Sequence, residues 1–203
     1  MNSEFWEPPV QPDIIEPVPA ATVLVVIPGH GGLEVLMVRR PARGFFGGIW
    51  VFPGGMLDPG DHGEADVLPD AAFRRAAVRE VAEEVGIHLD VESFAFVSRW
   101  ITPAIFPRRY DTRFYLAPLP GALPLTLATE ELEEASYITP AAALGAHQAQ
   151  QWPMVLPTLA HLRWLARFTT IEQALASSKR SRLDPVTPQV AADGSLLPVD
   201  IPW

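Results

Sequence analysis

REVAEEVGI, residues 79–87, is the most informative stretch of this 203-residue chain. Glu80, Glu83 and Glu84 stand at positions i, i+3 and i+4, so a helix brings their three carboxylates to one face. Like charges at this spacing destabilise a helix by about 0.2–0.5 kcal/mol per pair. A divalent cation such as Mg²⁺ reverses that balance because it prefers oxygen ligands. From these residues alone, a metal site and a solvated helix surface both remain open.

The acidic stretch ends the strongest helix signal in the chain. Residues 71–85 are rich in Ala, Arg and Glu and contain neither glycine nor proline. Asp70 can cap the N-terminus of this helix, and Gly86 stands where a C′ glycine belongs. Apolar residues recur at four-residue spacing, which predicts a narrow buried stripe. The stripe consists of Phe73, Ala77, Val81 and Val85.

Upstream of the helix, the sequence predicts strands separated by glycine-rich links. Residues 22–28 and 33–39 are apolar runs on either side of GHGG at residues 29–32, a pattern typical of a β-hairpin. Residues 48–52 form another candidate strand, which ends at PGG over residues 53–55. Glycine at that point lets a backbone group approach a ligand closely.

Downstream of the helix, strands and helices are mixed. Residues 94–100 and 112–117 are candidate strands, whereas residues 157–168 and 170–178 are candidate helices, with Thr170 as an N-cap for the second helix. Because the two kinds of element do not alternate strictly, the predicted class is α/β or α+β with a mixed β-sheet.

Composition divides the chain into three parts. Residues 1–19 carry five prolines and are expected to form an N-terminal arm, while residues 20–145 hold the strands and the acidic helix. Residues 146–203 contain the C-terminal helices and a proline-rich tail, which we expect to pack on the domain. The arm and the apolar residues of those helices favour a homodimer. These apolar residues are Leu159, Leu162, Leu165 and Phe168.

Composition also excludes several functions. The chain has 15 basic and 24 acidic residues, a formal net charge of −9 and no long basic run, so we expect no nucleic-acid or membrane partner. The absence of cysteine excludes disulfides, zinc–thiolate sites and a cysteine nucleophile. Residues 1–12 are acidic and broken by proline, unlike a signal peptide, and residues 20–27 are too short to cross a bilayer. We therefore expect a cytoplasmic protein.

Residues 79–87 and the strand–Gly-Gly segment before them resemble the Nudix box, G-x5-E-x7-R-E-U-x-E-E-x-G-U, where U is aliphatic. The resemblance implies a Nudix-type α/β/α sandwich with a mixed sheet and added C-terminal helices. One departure is that Asp61, not Glu, follows Gly55 after five intervening residues, and the gap from there to Arg79 exceeds seven residues. Either Asp61 replaces that glutamate, which is mainly structural in the family, or the contact is absent.

Nudix enzymes hydrolyse a nucleoside diphosphate linked to another group and use Mg²⁺ or Mn²⁺ to cut the pyrophosphate. The resemblance therefore implies a metal site made by the carboxylates of Glu80, Glu83 and Glu84. It adds the carbonyl of Gly54 as a further metal ligand, and assigns Arg79 to orienting the glutamates through a charge-assisted pair.

The general base of the family is a box glutamate, such as Glu83 or Glu80, or a glutamate from a later loop. The later candidates here are Glu130 and Glu131, although a solvated loop is the alternative interpretation of that pair.

Arginines are the candidate ligands of a small nucleotide substrate, because a guanidinium can bind phosphate with two parallel hydrogen bonds. Three of them precede the Gly-Gly turn, where plain surface charge is the competing interpretation. A fourth shares one strand face with Asp111, Arg113 and Tyr115, and these residues can equally pair with one another. The four candidates are Arg39, Arg40, Arg43 and Arg109.

Residues 35–61, residues 100–116 and the helix that begins at Pro157 resemble the branch of the family that contains the peroxisomal coenzyme A diphosphatases. Coenzyme A or an acyl-coenzyme A is therefore the favoured substrate. Because one fold can serve different substrates, ADP-ribose, NADH and nucleotide sugars remain alternatives. A second alternative is a Nudix-like regulator that binds a nucleotide without cleaving it, although such domains usually lack box glutamates that this chain retains.

Overall fold

The structure is a computed structural model that describes residues 15–43, 47–62, 69–127 and 131–201. Within those residues the chain forms eight strands and four α-helices. The strands are β1 (Val18–Gly29), β2 (Gly32–Arg39), β3 (Trp50–Val51), β4 (Gly54–Met56), β5 (Ala95–Ile101), β6 (Tyr110–Pro118), β7 (Glu134–Ile138) and β8 (Pro185–Val186). The α-helices are α1 (Asp70–Val85), α2 (Pro140–Gln148), α3 (Leu156–Leu165) and α4 (Ile171–Ser178).

All eight described strands belong to one mixed sheet with the order β3-β2-β1-β6-β5-β8, to which β4 and β7 add at β1 and β2. Strand β1 lies at its centre. It pairs in parallel with β6, from Val18 opposite Tyr110 to Val26 opposite Pro118, and antiparallel with β2 and β4. The predicted mixed sheet and the predicted β1–β2 hairpin are therefore confirmed.

Both faces of the sheet are buried, as in an α/β/α sandwich. Along β1, Val23 and Val25 pack toward α1, whereas Leu24 and Val26 pack into the core on the opposite face. Because adjacent strand positions face opposite sides and both sides are apolar, β1 has a continuous apolar sequence rather than an alternating one. The second core includes residues of the C-terminal helices, namely Ala160, Leu162, Trp164, Leu165 and Ala174.

Helix α1 buries the predicted stripe of Phe73, Ala77, Val81 and Val85 against the sheet. It ends as predicted, with Gly86 in the left-handed region at φ 73° and its N–H donating to the carbonyl of Ala82 at 3.0 Å. The predicted cap at Asp70 is wrong, because Pro69 occupies the N-cap position and Asp70 is already helical.

The Asp70 carboxylate instead ties the start of α1 to β6. It accepts hydrogen bonds from the Tyr115 hydroxyl at 2.6 Å and from Arg113 Nη1 at 3.0 Å. Arg113 and Tyr115, two of the four residues predicted to share a strand face, therefore meet at the Asp70 carboxylate. Asp111, a third, pairs instead with Arg99 at 2.6 Å.

Several element boundaries differ from the prediction. The strand expected over residues 48–52 shortens to β3, because the Gly48 N–H donates to the carbonyls of Arg40 and Pro41 and forms a turn. The Gly-Gly segment extends into β4, which pairs with β1. Strand β7 and helix α2 were not predicted, although the Thr139 side chain caps α2.

The C-terminal helices use their apolar residues within the chain. Leu162 and Leu165 are fully buried in the core shared with the sheet, so they give no support to a homodimer, which remains a prediction. In the described parts of the chain, no helix has both the length and the apolar composition that a membrane span requires.

Candidate active site

The three glutamates of α1 line one wall of a cavity of about 880 Å³. They differ in burial along the helix. Glu84 is buried at 4% exposure, whereas the side chains of Glu80 and Glu83 are 15% and 58% exposed. The three glutamates therefore lie on one helical face as predicted, with Glu84 toward the protein interior and Glu83 the most exposed to solvent.

Arg79 connects the glutamates to the loop before α1. Its Nη1 donates to Glu80 Oε1 and to Glu83 Oε2, each at 3.0 Å. Its Nη2 donates to Asp61 Oδ2 at 2.9 Å and to the carbonyl of Met56 at 3.0 Å. Burial opposes the charge on this guanidinium, but the carboxylates outweigh that effect and raise the pKa of Arg79 above its ordinary value.

Asp61 makes the contact that the departure from the Nudix box left open. Its carboxylate accepts from Arg79 and, at 2.9 Å, from the Asp58 N–H, and the residue is buried at 5% exposure. Burial alone would raise the pKa of Asp61, but the hydrogen bond from Arg79 lowers it overall, so the carboxylate is charged. Residues 63–68, which lengthen the loop, lie outside the described residues.

The Gly-Gly segment lies directly against the carboxylates. The Gly54 N–H donates to Glu84 Oε2 at 2.9 Å, and the φ of Gly54, 146°, is in a region that L side chains rarely adopt. A Cβ at Gly55 would overlap the carboxylate of Glu80. The close backbone approach is thus present and uses the amide of Gly54; the role assigned to its carbonyl remains a prediction.

Acidic side chains are concentrated in this part of the cavity. Burial raises the pKa of Glu84 to about 8, against the stabilising N–H of Gly54, and the charges of Glu80 and Glu131 raise it further. Burial also raises the pKa of Glu80, where Arg79 opposes the shift and Glu83 and Glu131 reinforce it. Crowded carboxylates of this kind are stabilised by an added cation.

The donor set fits Mg²⁺ or Mn²⁺, which prefer carboxylate oxygens. In the described parts of the chain, no three acidic or histidine side chains already surround a single point at the spacing of a bound metal. The carboxylates are instead hydrogen-bonded to protein groups: Glu80 and Glu83 to Arg79, and Glu84 to the Gly54 amide.

The structure brings some of the other predicted residues to the cavity. Glu131 and Arg40 line it together with the α1 glutamates. Arg39 does not, because it pairs with Glu134 at 2.6 Å and with Glu133 at 3.2 Å. Glu130, the second loop candidate, lies outside the described residues.

Two further arginines are also absent from the cavity lining that the described residues form. Arg109 donates from Nη1 to the carbonyl of Ile15 at 2.6 Å and from Nε to the carbonyl of Thr102 at 2.9 Å, so it ties backbone segments together. Arg43 is exposed at the turn after β2.

Sequence reasoning missed the other end of the cavity, which is largely apolar. Part of this wall comes from the β5–β6 connection and part from the start of α3 and the segment after β8. No local pattern joins these segments, and the last was predicted only as a tail. The residues are Trp100, Ile101, Pro103, Phe106, Arg108, Tyr110, Val155, Leu156, Pro157, Pro188 and Leu196.

A buried hydrogen-bond chain supports this wall. Trp100 Nε1 donates to Ser98 Oγ at 3.1 Å, and Ser98 Oγ lies 2.7 Å from His161 Nε2. His161 Nδ1 lies 2.6 Å from the carbonyl of Pro157, which requires a proton on Nδ1 and leaves Nε2 as the acceptor. Complete burial lowers the pKa of His161 to about 3, so the ring is neutral.

The fold agrees with comparison to known proteins. A family model described as NUDIX domain matches residues 16–156, and the chain belongs to this family. It is similar to the crystal structure of a NUDIX hydrolase from Alicyclobacillus acidocaldarius, with a TM-score of 0.72 and 26% identity over 79% of this chain and 96% of that one.

Two curated relatives are similar over shorter shares of their length. The putative nudix hydrolase 7 of Caenorhabditis elegans is 28% identical over 170 residues, covering 66% of this chain and 56% of that protein. The 8-oxo-dGTP diphosphatase of Proteus vulgaris is 33% identical over 79 residues, covering 36% of this chain and 62% of that protein. The chain thus spans less than two thirds of either relative.

Proposed function

We propose that this chain is a Mg²⁺- or Mn²⁺-dependent hydrolase that cleaves the pyrophosphate linkage of a nucleoside diphosphate derivative. The observation that carries the proposal is the wall of Glu80, Glu83 and Glu84 on α1, which lines the same cavity as Glu131 and Arg40. Family membership supports the same chemistry, because the curated relatives include proteins named as a nudix hydrolase and as a diphosphatase.

Glu80, Glu83 and Glu84 would hold the divalent cation, with the carbonyl of Gly54 as a further ligand. When bound, the cation neutralises the pyrophosphate oxygens and favours deprotonation of water. Arg79 keeps the carboxylates of Glu80 and Glu83 oriented.

Arg40 and a carboxylate that acts as general base complete the reaction at the cavity wall. Arg40 binds a phosphate oxygen of the substrate. A carboxylate removes the proton of the attacking water, whose oxygen bonds to phosphorus while the bridging P–O bond breaks.

We propose Glu131 as the general base. It lines the cavity and makes no ion pair with another described residue, whereas Glu83 is paired with Arg79 at 3.0 Å. A base must accept a proton within hydrogen-bond reach of the water, so a carboxylate without an ion pair suits this role better. Glu83 is the alternative base.

Coenzyme A or an acyl-coenzyme A is the substrate that we propose first. The cavity is acidic at the α1 end, and the rest of its wall is largely apolar, where Ile101, Phe106 and Leu196 stand beside Arg108 and several threonines. An apolar wall suits a substrate whose second group is long and weakly polar, such as pantetheine or an acyl chain. ADP-ribose, NADH and nucleotide sugars share the pyrophosphate and are the alternative substrates.

The test combines one substitution with a panel of substrates. The panel is coenzyme A, NADH, ADP-ribose, a nucleotide sugar and 8-oxo-dGTP, each incubated with Mg²⁺ and analysed for products. Release of 3′,5′-ADP and phosphopantetheine would support coenzyme A, and release of AMP from NADH or ADP-ribose would support the alternatives.

For the substrate that is cleaved, we expect Glu83→Gln to lower kcat by about 10²- to 10⁴-fold without unfolding the protein. Glu92→Gln, which changes an exposed glutamate beyond α1, is the matched control and should keep full activity. Full activity of Glu83→Gln would refute the site. No cleavage of any panel member would favour the second alternative, a regulator that binds a nucleotide without cleaving it.

A further inference from the structure

We infer that Arg39 is a positioning residue, which fixes the segment that carries Glu131 opposite the glutamates of α1. The inference rests on the proposed function, in which Glu131 acts as the general base. It gives Arg39 a role different from the phosphate contact that the sequence predicts.

Arg39 holds the start of β7 through both its backbone and its side chain. The Arg39 carbonyl accepts from the Glu133 N–H at 2.9 Å. Its Nη2 lies 3.2 Å from Glu133 Oε2 and donates to Glu134 Oε1 at 2.6 Å. The Ala42 N–H donates to Glu133 Oε1 at 3.3 Å, so Glu133 is held both by the last residue of β2 and by the chain just after it.

The residue between Glu131 and Glu133 is anchored as well. Leu132 is buried at 2% exposure in the core between α1 and the sheet. Glu131 therefore immediately precedes two fixed residues, one held by apolar packing and the next by Arg39. The contacts of Arg39 with Glu133 and Glu134, together with the burial of Leu132, determine where the Glu131 carboxylate enters the cavity.

The contacts of Arg39 indicate a positioning role and not substrate binding. Its neighbour Arg40 lines the cavity, whereas the guanidinium of Arg39 contacts two carboxylates that belong to the β7 segment. Adjacent positions of an extended strand face opposite sides, which accounts for the different surroundings of the two arginines. These ion pairs are partly exposed and contribute little to global stability, so removing them should displace the segment without unfolding the chain.

The test compares Arg39→Gln with Arg99→Gln. Arg99 forms a similar cross-strand pair with Asp111, at 2.6 Å, between β5 and β6 and is therefore a matched control. Steady-state kcat and KM are measured with Mg²⁺ and coenzyme A, and with ADP-ribose if coenzyme A is not cleaved. Hydrogen–deuterium exchange of peptides from residues 131–138 supplies a readout that needs no activity.

We expect Arg39→Gln to lower kcat by about tenfold with little change in KM, because a misplaced base slows the chemical step. Exchange of residues 131–138 should become faster in this variant and stay unchanged in Arg99→Gln. Arg39→Lys, which keeps the charge, should recover part of kcat. In a Glu131→Gln background, Arg39→Gln should have no further effect, because both changes act through the same carboxylate.

A rise in KM at unchanged kcat would overturn the inference and assign Arg39 to substrate binding. Unchanged exchange of residues 131–138 would also overturn it. If the wild-type chain cleaves no member of the substrate panel, the proposed function fails separately, and the exchange measurement still decides whether Arg39 holds the segment.

Discussion

Arg79 offsets part of the charge of three acidic side chains that lie close together. Its guanidinium contacts Glu80, Glu83 and Asp61, and its side chain is 25% exposed. The repulsion between the α1 carboxylates is therefore partly offset within the protein. Asp61 is not among the described residues that line the cavity, so it can fix the guanidinium without occupying the space of a substrate.

At the scale of this residue, Asp61→Asn should destabilise the chain. The change removes a buried charge that accepts from Arg79, and we expect the free energy of unfolding to fall by about 1–3 kcal/mol. Urea unfolding monitored by tryptophan fluorescence measures the loss. Asp58→Asn is the matched control, since Asp58 lies 3.6 Å from the same guanidinium and is 64% exposed.

The control should change stability by less than about 0.5 kcal/mol, as expected for an exposed ion pair. Equal losses in the two variants would show that Asp61 is an ordinary surface acid and not the anchor of Arg79.

Among the elements, α1 and the β1–β2 hairpin could be predicted because their signals are local. Helix α1 has an uninterrupted periodic stripe and a glycine stop, and each hairpin strand is an apolar run next to glycine. Strands β4 and β7 could not be predicted in this way. The first is only GGM and the second is short and half-exposed, so both depend on pairing with distant residues of β1 and β2.

The same distinction applies to the candidate site. The α1 glutamates, Arg79 and the Gly-Gly segment belong to one motif, so their proximity could be predicted. The partners of Arg39 and Arg109 could not, because β7 and the segment at Ile15 meet these arginines only through the sheet. The apolar end of the cavity is equally non-local.

Helix α3 provides a pH-dependent test at the scale of an element. His161 joins α3 to β5 through Ser98 and is neutral in the folded protein, with its pKa lowered from 6.5 to about 3 by burial. Below pH 6.5 the unfolded chain therefore binds a proton that the folded chain does not. This titration lowers the free energy of unfolding as the pH falls, by up to about 1.4 kcal/mol per pH unit. Glu84, whose pKa burial raises to about 8, contributes the opposite slope over the same range, so the His161 contribution is measured as a difference between two variants.

Urea unfolding of the wild type and of His161→Gln between pH 6.5 and pH 5 gives the slope of the unfolding free energy for each protein. His161→Gln removes the titrating group, so its slope against pH should be less positive than that of the wild type by up to about 1.4 kcal/mol per pH unit, although it also loses the ring packing against Phe114. His147→Gln is the control, because His147 lies at the end of α2 and is only partly buried. Equal slopes in the wild type and His161→Gln would contradict a neutral buried His161.

In the whole molecule, the region beyond the family match completes the fold. The match ends at residue 156, yet α3, α4 and Ile201 fill the core on the face of the sheet opposite α1. The cavity is also shared between the two regions, because Pro188 and Leu196 face it together with the α1 glutamates. The C-terminal region therefore closes one face of the sheet and shapes the apolar end of the site.

Trp164→Ala tests whether that region is part of the cooperative unit. Trp164 lies on α3 at 1% exposure and packs edge-on against Phe168 at 5.2 Å between ring centroids. Removing a fully buried indole leaves a cavity, so we expect the free energy of unfolding to fall by about 3–5 kcal/mol. Leu183→Ala, at a side chain that is 56% exposed, should change it by less than about 0.5 kcal/mol. A separately folding C-terminal region would instead give two unfolding transitions in Trp164→Ala, the first without loss of α1 helicity.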